Sequence, residues 1–177
     1  MIKMFTKLLL LVTLMTETVT VNARSRSLRI SQKKRSLGKK ADLVAHIAPY
    51  PGTSGGTASG TVSVHFDKDD IVMYMDVEGV PECSTTETAT NGCGIHIHAG
   101  ISCNTAAAVE GHFWSTAKFE ADPWADIRYD ADASGKTTYS VIMIDGNGYD
   151  KDINFGRAFV IHNPAGGRIG CGLLEHA

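Results

Sequence analysis

Two histidines one residue apart, in Gly94-Ile95-His96-Ile97-His98-Ala99-Gly100, are the residues of this 177-residue chain whose spacing most directly suggests chemistry. On a strand, successive side chains point to opposite faces, so His96 and His98 project together while Ile95 and Ile97 point the other way. Two imidazoles side by side can grip one metal ion, although a His-x-His pair is also an ordinary feature of an exposed sheet face. His112, after Glu110-Gly111, and His162, closing the apolar run Ala158-Phe159-Val160-Ile161, are two further candidate ligands. Each alone reads as a surface or turn histidine. No residue is placed as a nucleophile or as the general base of a hydrolytic metal centre, which argues against hydrolysis.

The elements that must position these rings read as strands. From residue 41 onward, apolar residues recur at every second position, the period of a strand with one face buried. Val62, Val64 and Phe66 alternate with Thr61, Ser63 and His65, and Ile71, Met73, Met75 and Val77 alternate with Val72, Tyr74, Asp76 and Glu78. Further runs lie at Leu43–Ala48, Gly94–His98, Ile127–Tyr129, Thr138–Ile144, Arg157–His162 and Ile169–Leu174. That predicts about eight strands, separated by turn formers such as Pro51-Gly52, Asp132–Gly135, Asp145–Gly148 and Asn163–Gly167. No window shows amphipathic helical periodicity, so the expected architecture is an all-β antiparallel sandwich or barrel. Two segments break the rhythm: residues 81–93, a polar connection, and residues 99–125, a long irregular one. Long loops on a rigid β scaffold are where sites are usually built. The expected packing role of Trp114 and Trp124 is to hold the longer loop on the barrel. His46, His65 and His176 read as solvated.

Charge and the opening residues bound the partners. Residues 1–23 have the outline of a signal peptide: Lys3 and Lys7, the apolar run Leu8–Met15, and Val21-Asn22-Ala23. That run is far short of the roughly 20 residues needed to span a bilayer, so no membrane span is expected. Residues 24–40 carry eight Lys and Arg and no acid, and read as a basic, flexible pro-segment or linker. The domain proper, residues 41–177, holds 7 basic and 18 acidic side chains, a formal net charge of −11. Such a surface repels nucleic acid and anionic lipid, and at long range it also repels a small anionic substrate. Four cysteines, Cys83, Cys93, Cys103 and Cys171, suit two disulfides in a secreted protein better than a metal site, because no pair has C-x-x-C spacing. Spacing alone leaves all three connectivities open.

Four segments in matching order resemble the copper/zinc superoxide dismutases over nearly all of residues 41–177. Gly94-Ile95-His96-Ile97-His98 resembles that family's G-[FI]-H-[VI]-H strand, and Gly111-His112-Phe113 its segment carrying the metal-bridging histidine. Val160-Ile161-His162 resembles the V-V-H strand end, and Gly167-Arg168-Ile169-Gly170-Cys171-Gly172 the close of the chain. The resemblance implies an eight-stranded Greek-key β fold with His96, His98, His112 and His162 as ligands of one copper ion. It places Arg168 as the residue that docks superoxide, gives His112 a catalytic role in carrying a proton, and pairs Cys103 with Cys171, leaving Cys83 for Cys93.

The departures are informative. No histidine lies between His112 and His162, so the family's zinc site has no ligands and zinc is not expected. Asp126 aligns with the family's zinc-binding aspartate and is expected instead to hydrogen-bond His112, with Glu110, Glu120 and Asp122 as rivals. Only five residues separate His162 from Arg168, where the two-metal enzymes insert a charged steering loop. Both features resemble the copper-only, extracellular branch of the family. The implied activity is copper-dependent dismutation of superoxide to dioxygen and hydrogen peroxide. The alternative is an extracellular module that binds copper without turnover.

Overall fold

The structure, a computed structural model, describes residues 40–52, 56–84, 86–137, 141–143 and 145–177. The expectations for residues 1–23 and for 24–39 therefore lie outside the described residues. Lys40–Ala177 forms one compact unit. It is mostly β, with seven strands in one curled sheet among the described residues: β1 Leu43–Pro49, β2 Ser59–Asp67, β3 Asp70–Glu78, β4 Ile95–His98, β5 Val141–Met143, β6 Ala158–His162 and β7 Arg168–His176. Their order across the sheet is β4-β6-β7-β1-β2-β3-β5, and the neighbouring pairs are antiparallel.

Seven of the eight expected runs contain strands, although of Thr138–Ile144 only residues 141–143 are described. The exception is Ile127–Tyr129, which pairs only through an isolated bridge between Gly94 and Arg128. Further single bridges join Cys83 to Ala131, Ala131 to Thr137 and Lys136 to Glu78, so pairing passes from the β4 edge back to β3 without forming a ladder. Two four-residue helices, α1 Ala106–Val109 and α2 Lys151–Asn154, also appear. Helices this short carry no amphipathic period, and local caps define them: Thr105 accepts from the Ala108 amide, and Asp150 from those of Asp152 and Ile153. None of the described helices is long and apolar enough to cross a membrane.

Alternation divides the residues of β4 and β6 between two environments. Ile95, Ile97, Phe159 and Ile161 join the main core with Leu43, Val64, Met73, Trp124 and Tyr129. His96 and His98 project from the opposite face, where their partners across the ladder are Val160 and Ala158. Those two residues belong to a second apolar cluster with Tyr50, Val109 and Cys171. Loop 99–125 covers this face and is tied to β7 by the Cys103–Cys171 disulfide; Cys83–Cys93 closes the other loop. Both pairings are those the resemblance implied, and they are compatible with an extracellular protein. Trp124 is fully buried and its indole N–H donates to the Phe113 carbonyl, so it does pack the long loop.

His65 is a correction. It is buried rather than solvated, its ring edge-on to Tyr74 at 5.4 Å, the diagonal neighbour on β3 that a regular hairpin brings beside it. His46 and His176 are exposed.

Close backbone approach between β1 and β7 rests on Gly172, where a Cβ would sit 2.8 Å from the His46 carbonyl carbon and closer still to its oxygen. Gly172→Ala should lower stability by about 1–3 kcal/mol, the usual cost of forcing atoms into a filled interior. Urea denaturation checks this, and an unchanged midpoint would show that β1 gives way freely.

Candidate metal centre

Each of the four histidines reaches the site by a different local device. His96 and His98 lie two apart on β4 and therefore share a face. His162 ends β6 on that same face. His112 comes from loop 99–125, held by a bridge to His98 and by the Phe113 amide donating to the Ile97 carbonyl at 2.8 Å. Arg168 owes its position to an irregularity in the ladder. Strict alternation from Cys171, which pairs with Val160, would put Ile169 opposite His162 and turn Arg168 to the core face. The register instead shifts between Ile161 and His162, so that Arg168 pairs with His162 and Ile169 enters the core. A β-bulge re-aims a side chain in this way.

Hydrogen bonds determine which ring nitrogen each histidine can present. His98 Nδ1–H donates to the Glu110 carbonyl at 2.9 Å, and His162 Nδ1–H to the Gly166 carbonyl at 2.8 Å. A carbonyl only accepts, so both rings carry their proton on Nδ1 and offer a lone pair on Nε2. His112 Nδ1 donates to the Asp122 carboxylate at 2.6 Å, which likewise frees its Nε2. The Nε2 atoms of His98 and His162 and both nitrogens of His96 are buried with no hydrogen-bond partner. Buried polar atoms in native proteins are nearly always paired. Here the orphaned atoms converge: one ligand nitrogen from each of the four rings lies within 4.8 Å of the others.

The rings are arranged as a quadrilateral. Going round it, His96–His112, His112–His98, His98–His162 and His162–His96 have centroids 4.1, 5.0, 6.0 and 4.9 Å apart. The diagonals, His96–His98 and His112–His162, are 6.3 and 6.5 Å. Both exceed every side, but by less than in a square, so the four centroids form a flattened tetrahedron. Four imidazoles in this disposition can hold one metal ion.

Burial also keeps the rings neutral, the form that binds metal. Desolvation is the largest influence on all three strand histidines, and it drives the pKa of His96 far below its ordinary value. His98 falls to about 3 and His162 to about 4, each helped by the Arg168 charge and opposed by its carbonyl hydrogen bond. Arg168 donates from Nη1 to the Tyr50 hydroxyl at 2.8 Å and from Nη2 to the Glu110 carbonyl at 2.7 Å. It thus shares an acceptor with His98 and stands at the rim of the site.

The carboxylate on His112 is Asp122, not Asp126. Asp126 is turned outward, its side chain 94% exposed and paired with Arg128 at 3.1 Å. Asp122 is fixed by its own turn, its other oxygen accepting from the Trp124 amide at 2.9 Å. Two roles escaped the sequence reading. Tyr129, buried beneath the site, donates its hydroxyl to the His162 carbonyl at 2.8 Å. Gly94 leaves room for His96, because a Cβ there would stand 2.6 Å from Nε2 and closer to Cε1. The glycine of the Gly-x-His-x-His motif was the available signal. No family model matches the chain, and no curated protein is significantly similar to it.

Gly94→Ala should therefore displace His96 and abolish tight metal binding while the sheet still forms, as read by metal titration beside circular dichroism. Asp122→Ala should weaken metal binding about 10–100-fold, the usual effect of removing a carboxylate that orients a ligand histidine, whereas Glu120→Gln should not; equal effects would dissociate Asp122 from the site. Acid should destabilise the metal-free protein. His98 and His162 have folded pKa values below the unfolded value of about 6.5, so the unfolded chain binds protons that the fold excludes. Their contribution is complete above that pH and is lost as pH falls towards about 4 and then about 3. Urea midpoints measured between pH 7 and 5 should decline, and a flat profile would contradict the burial argument.

Proposed function

We propose that this protein binds one copper ion through His96, His98, His112 and His162 and dismutes superoxide, as a copper-only member of the superoxide dismutase family acting outside the cell. The observation that carries the reading is the set of converging, unpartnered imidazole nitrogens with Arg168 hydrogen-bonded at its rim. Four imidazole donors suit copper or zinc rather than calcium or magnesium, which favour oxygen, and the resemblance to the copper sites of that family selects copper between them. The mostly β fold, an antiparallel curled sheet, is compatible with this reading.

The chemistry a bound copper ion supplies is one-electron transfer in both directions, which converts two superoxide anions and two protons into dioxygen and hydrogen peroxide. The protein's own residues bind, orient and move protons. Arg168 provides a fixed cation; its two bonds to Tyr50 and Glu110 engage two of five N–H donors and leave the rest for an anion. His98 and His162 hold their lone pairs inward because backbone carbonyls fix their tautomers. His112 lies on a loop and keeps 13% of its side-chain exposure. When it does not hold the metal, its Nε2 would be free to take up a proton and pass it to the product, and Asp122 would stabilise the resulting imidazolium through Nδ1–H.

Copper titration of the purified protein, with superoxide consumption measured before and after loading, tests the proposal. One tightly bound copper and copper-dependent consumption are expected. Copper binding without turnover would leave only a copper-holding module, and failure to bind copper would remove the proposal. Arg168→Ala should lower turnover at least tenfold, on the order of the loss from removing one charge-assisted contact, with copper content unchanged. A parallel loss of copper would reassign Arg168 to holding the site together.

A further inference from the structure

Arg128 is a buried cation that none of the roles above uses. Its backbone bridges Gly94 in antiparallel fashion, which sets the two side-chain positions beside one another on the same face. At Gly94 that position is taken by the ring of His96, whose Nε2 is 2.6 Å from where a Cβ would be. The Arg128 side chain therefore flanks the His96 imidazole. Its side chain is only 10% exposed, yet its Nη1 partner, Asp126, is 94% exposed. The guanidinium is thus desolvated while Asp126 stays in water, where its field is screened; Glu87 also feels the Arg128 charge but makes no ion pair with it. The Nε–H of Arg128 is buried with no hydrogen-bond partner.

A buried, incompletely paired guanidinium costs free energy, so it is a poor device for stability. Its position gives it an electrostatic consequence instead. Reducing a bound ion lowers the charge of the centre by one, and a nearby fixed positive charge stabilises the reduced state relative to the oxidised one. Arg168 exerts a similar field from the rim, but Arg128 acts from beside His96, away from the anion dock, and so can bias the ion without meeting substrate.

We propose that Arg128 is a fixed charge set beside His96 to raise the metal centre's preference for the reduced ion. This rests on reading the centre as a copper site that cycles between two oxidation states. Arg128 is a tuning residue acting through His96, and it touches neither substrate nor the reacting atoms.

The test measures the ratio of Cu(I) to Cu(II) affinity of the full chain, by competition titration with chelators for each ion, in Arg128→Met, Arg128→Lys and Asp126→Asn. Arg128→Met should lower the ratio about tenfold, the size expected for one partly screened unit charge near the centre. Arg128→Lys, which keeps the charge, should restore most of it, and Asp126→Asn, which removes the opposing carboxylate, should raise the ratio slightly. An unchanged ratio in Arg128→Met, or a fall in Arg128→Lys as large as in Arg128→Met, overturns the proposal. If Arg128→Met does not fold, Arg128→Gln is measured in its place: a lowered ratio supports the assignment and an unchanged one overturns it. A wild-type protein that binds no copper brings down the functional reading and this inference together. Tight copper binding with no dependence on Arg128 overturns only the latter.

Discussion

The structure depends on leaving imidazole nitrogens buried and unpaired. An unsatisfied buried polar atom costs on the order of 1–3 kcal/mol, and the strand histidines hold four such atoms in one place. Set against a total stability of about 5–15 kcal/mol for an ordinary domain, that is a heavy burden on a single face of one sheet. A chain selected for stability alone would fill these positions with valine or leucine, as it does at Val160 directly across from His96. A bound metal ion could satisfy all the inward lone pairs at once, and without one the fold must be held by other means.

Those means lie on either side of the site. Behind it, Ile95, Ile97, Phe159 and Ile161 lock β4 and β6 into the main core, so the rings are carried on backbone that cannot rotate to water without exposing that core. Over it, the second apolar cluster and the Cys103–Cys171 disulfide hold loop 99–125 down. A cross-link with a sequence separation of 68 stabilises by about 4 kcal/mol in the chain-entropy account, enough to offset much of the burden of the unpaired nitrogens. Carbonyls of the covering segments, Glu110 and Gly166, then fix the tautomers of His98 and His162. The same layer that excludes water thus also chooses which nitrogen faces inward.

Much of this was legible in the chain, and the limits have physical causes. A period of two is a local property, so the strands and the shared face of His96 and His98 could be read directly. The bulge could not, because Ile169, Cys171 and Leu173 alternate as though they shared a face; only pairing against β6 shows the phase breaking at His162. Asp122 and Asp126 lie four residues apart in a loop without periodicity, and a turn closed by the Trp124 amide decided between them. Ile127–Tyr129 has the alternation of a strand but makes one bridge where a ladder was expected. His65 looked solvated because nothing local announces that Tyr74 will cover it from the next strand.

Two electrostatic fields of opposite sign meet at the site, and their ranges decide which governs. The domain's formal charge of −11 is spread over exposed carboxylates, whose fields decay over about 8 Å at physiological ionic strength. Arg168 is half-buried, held by two hydrogen bonds, and sits where an anion would arrive. Low local polarisability strengthens its field just where the surface charge has been screened away. For the anionic substrate proposed above, the acidic surface would bear mainly on how often it approaches, and Arg168 on whether it stays. On the proposed reading, turnover of a small anion on so acidic a domain would require no charged steering loop, only a cation whose field is not screened, and the bulge at His162 sets that cation's position.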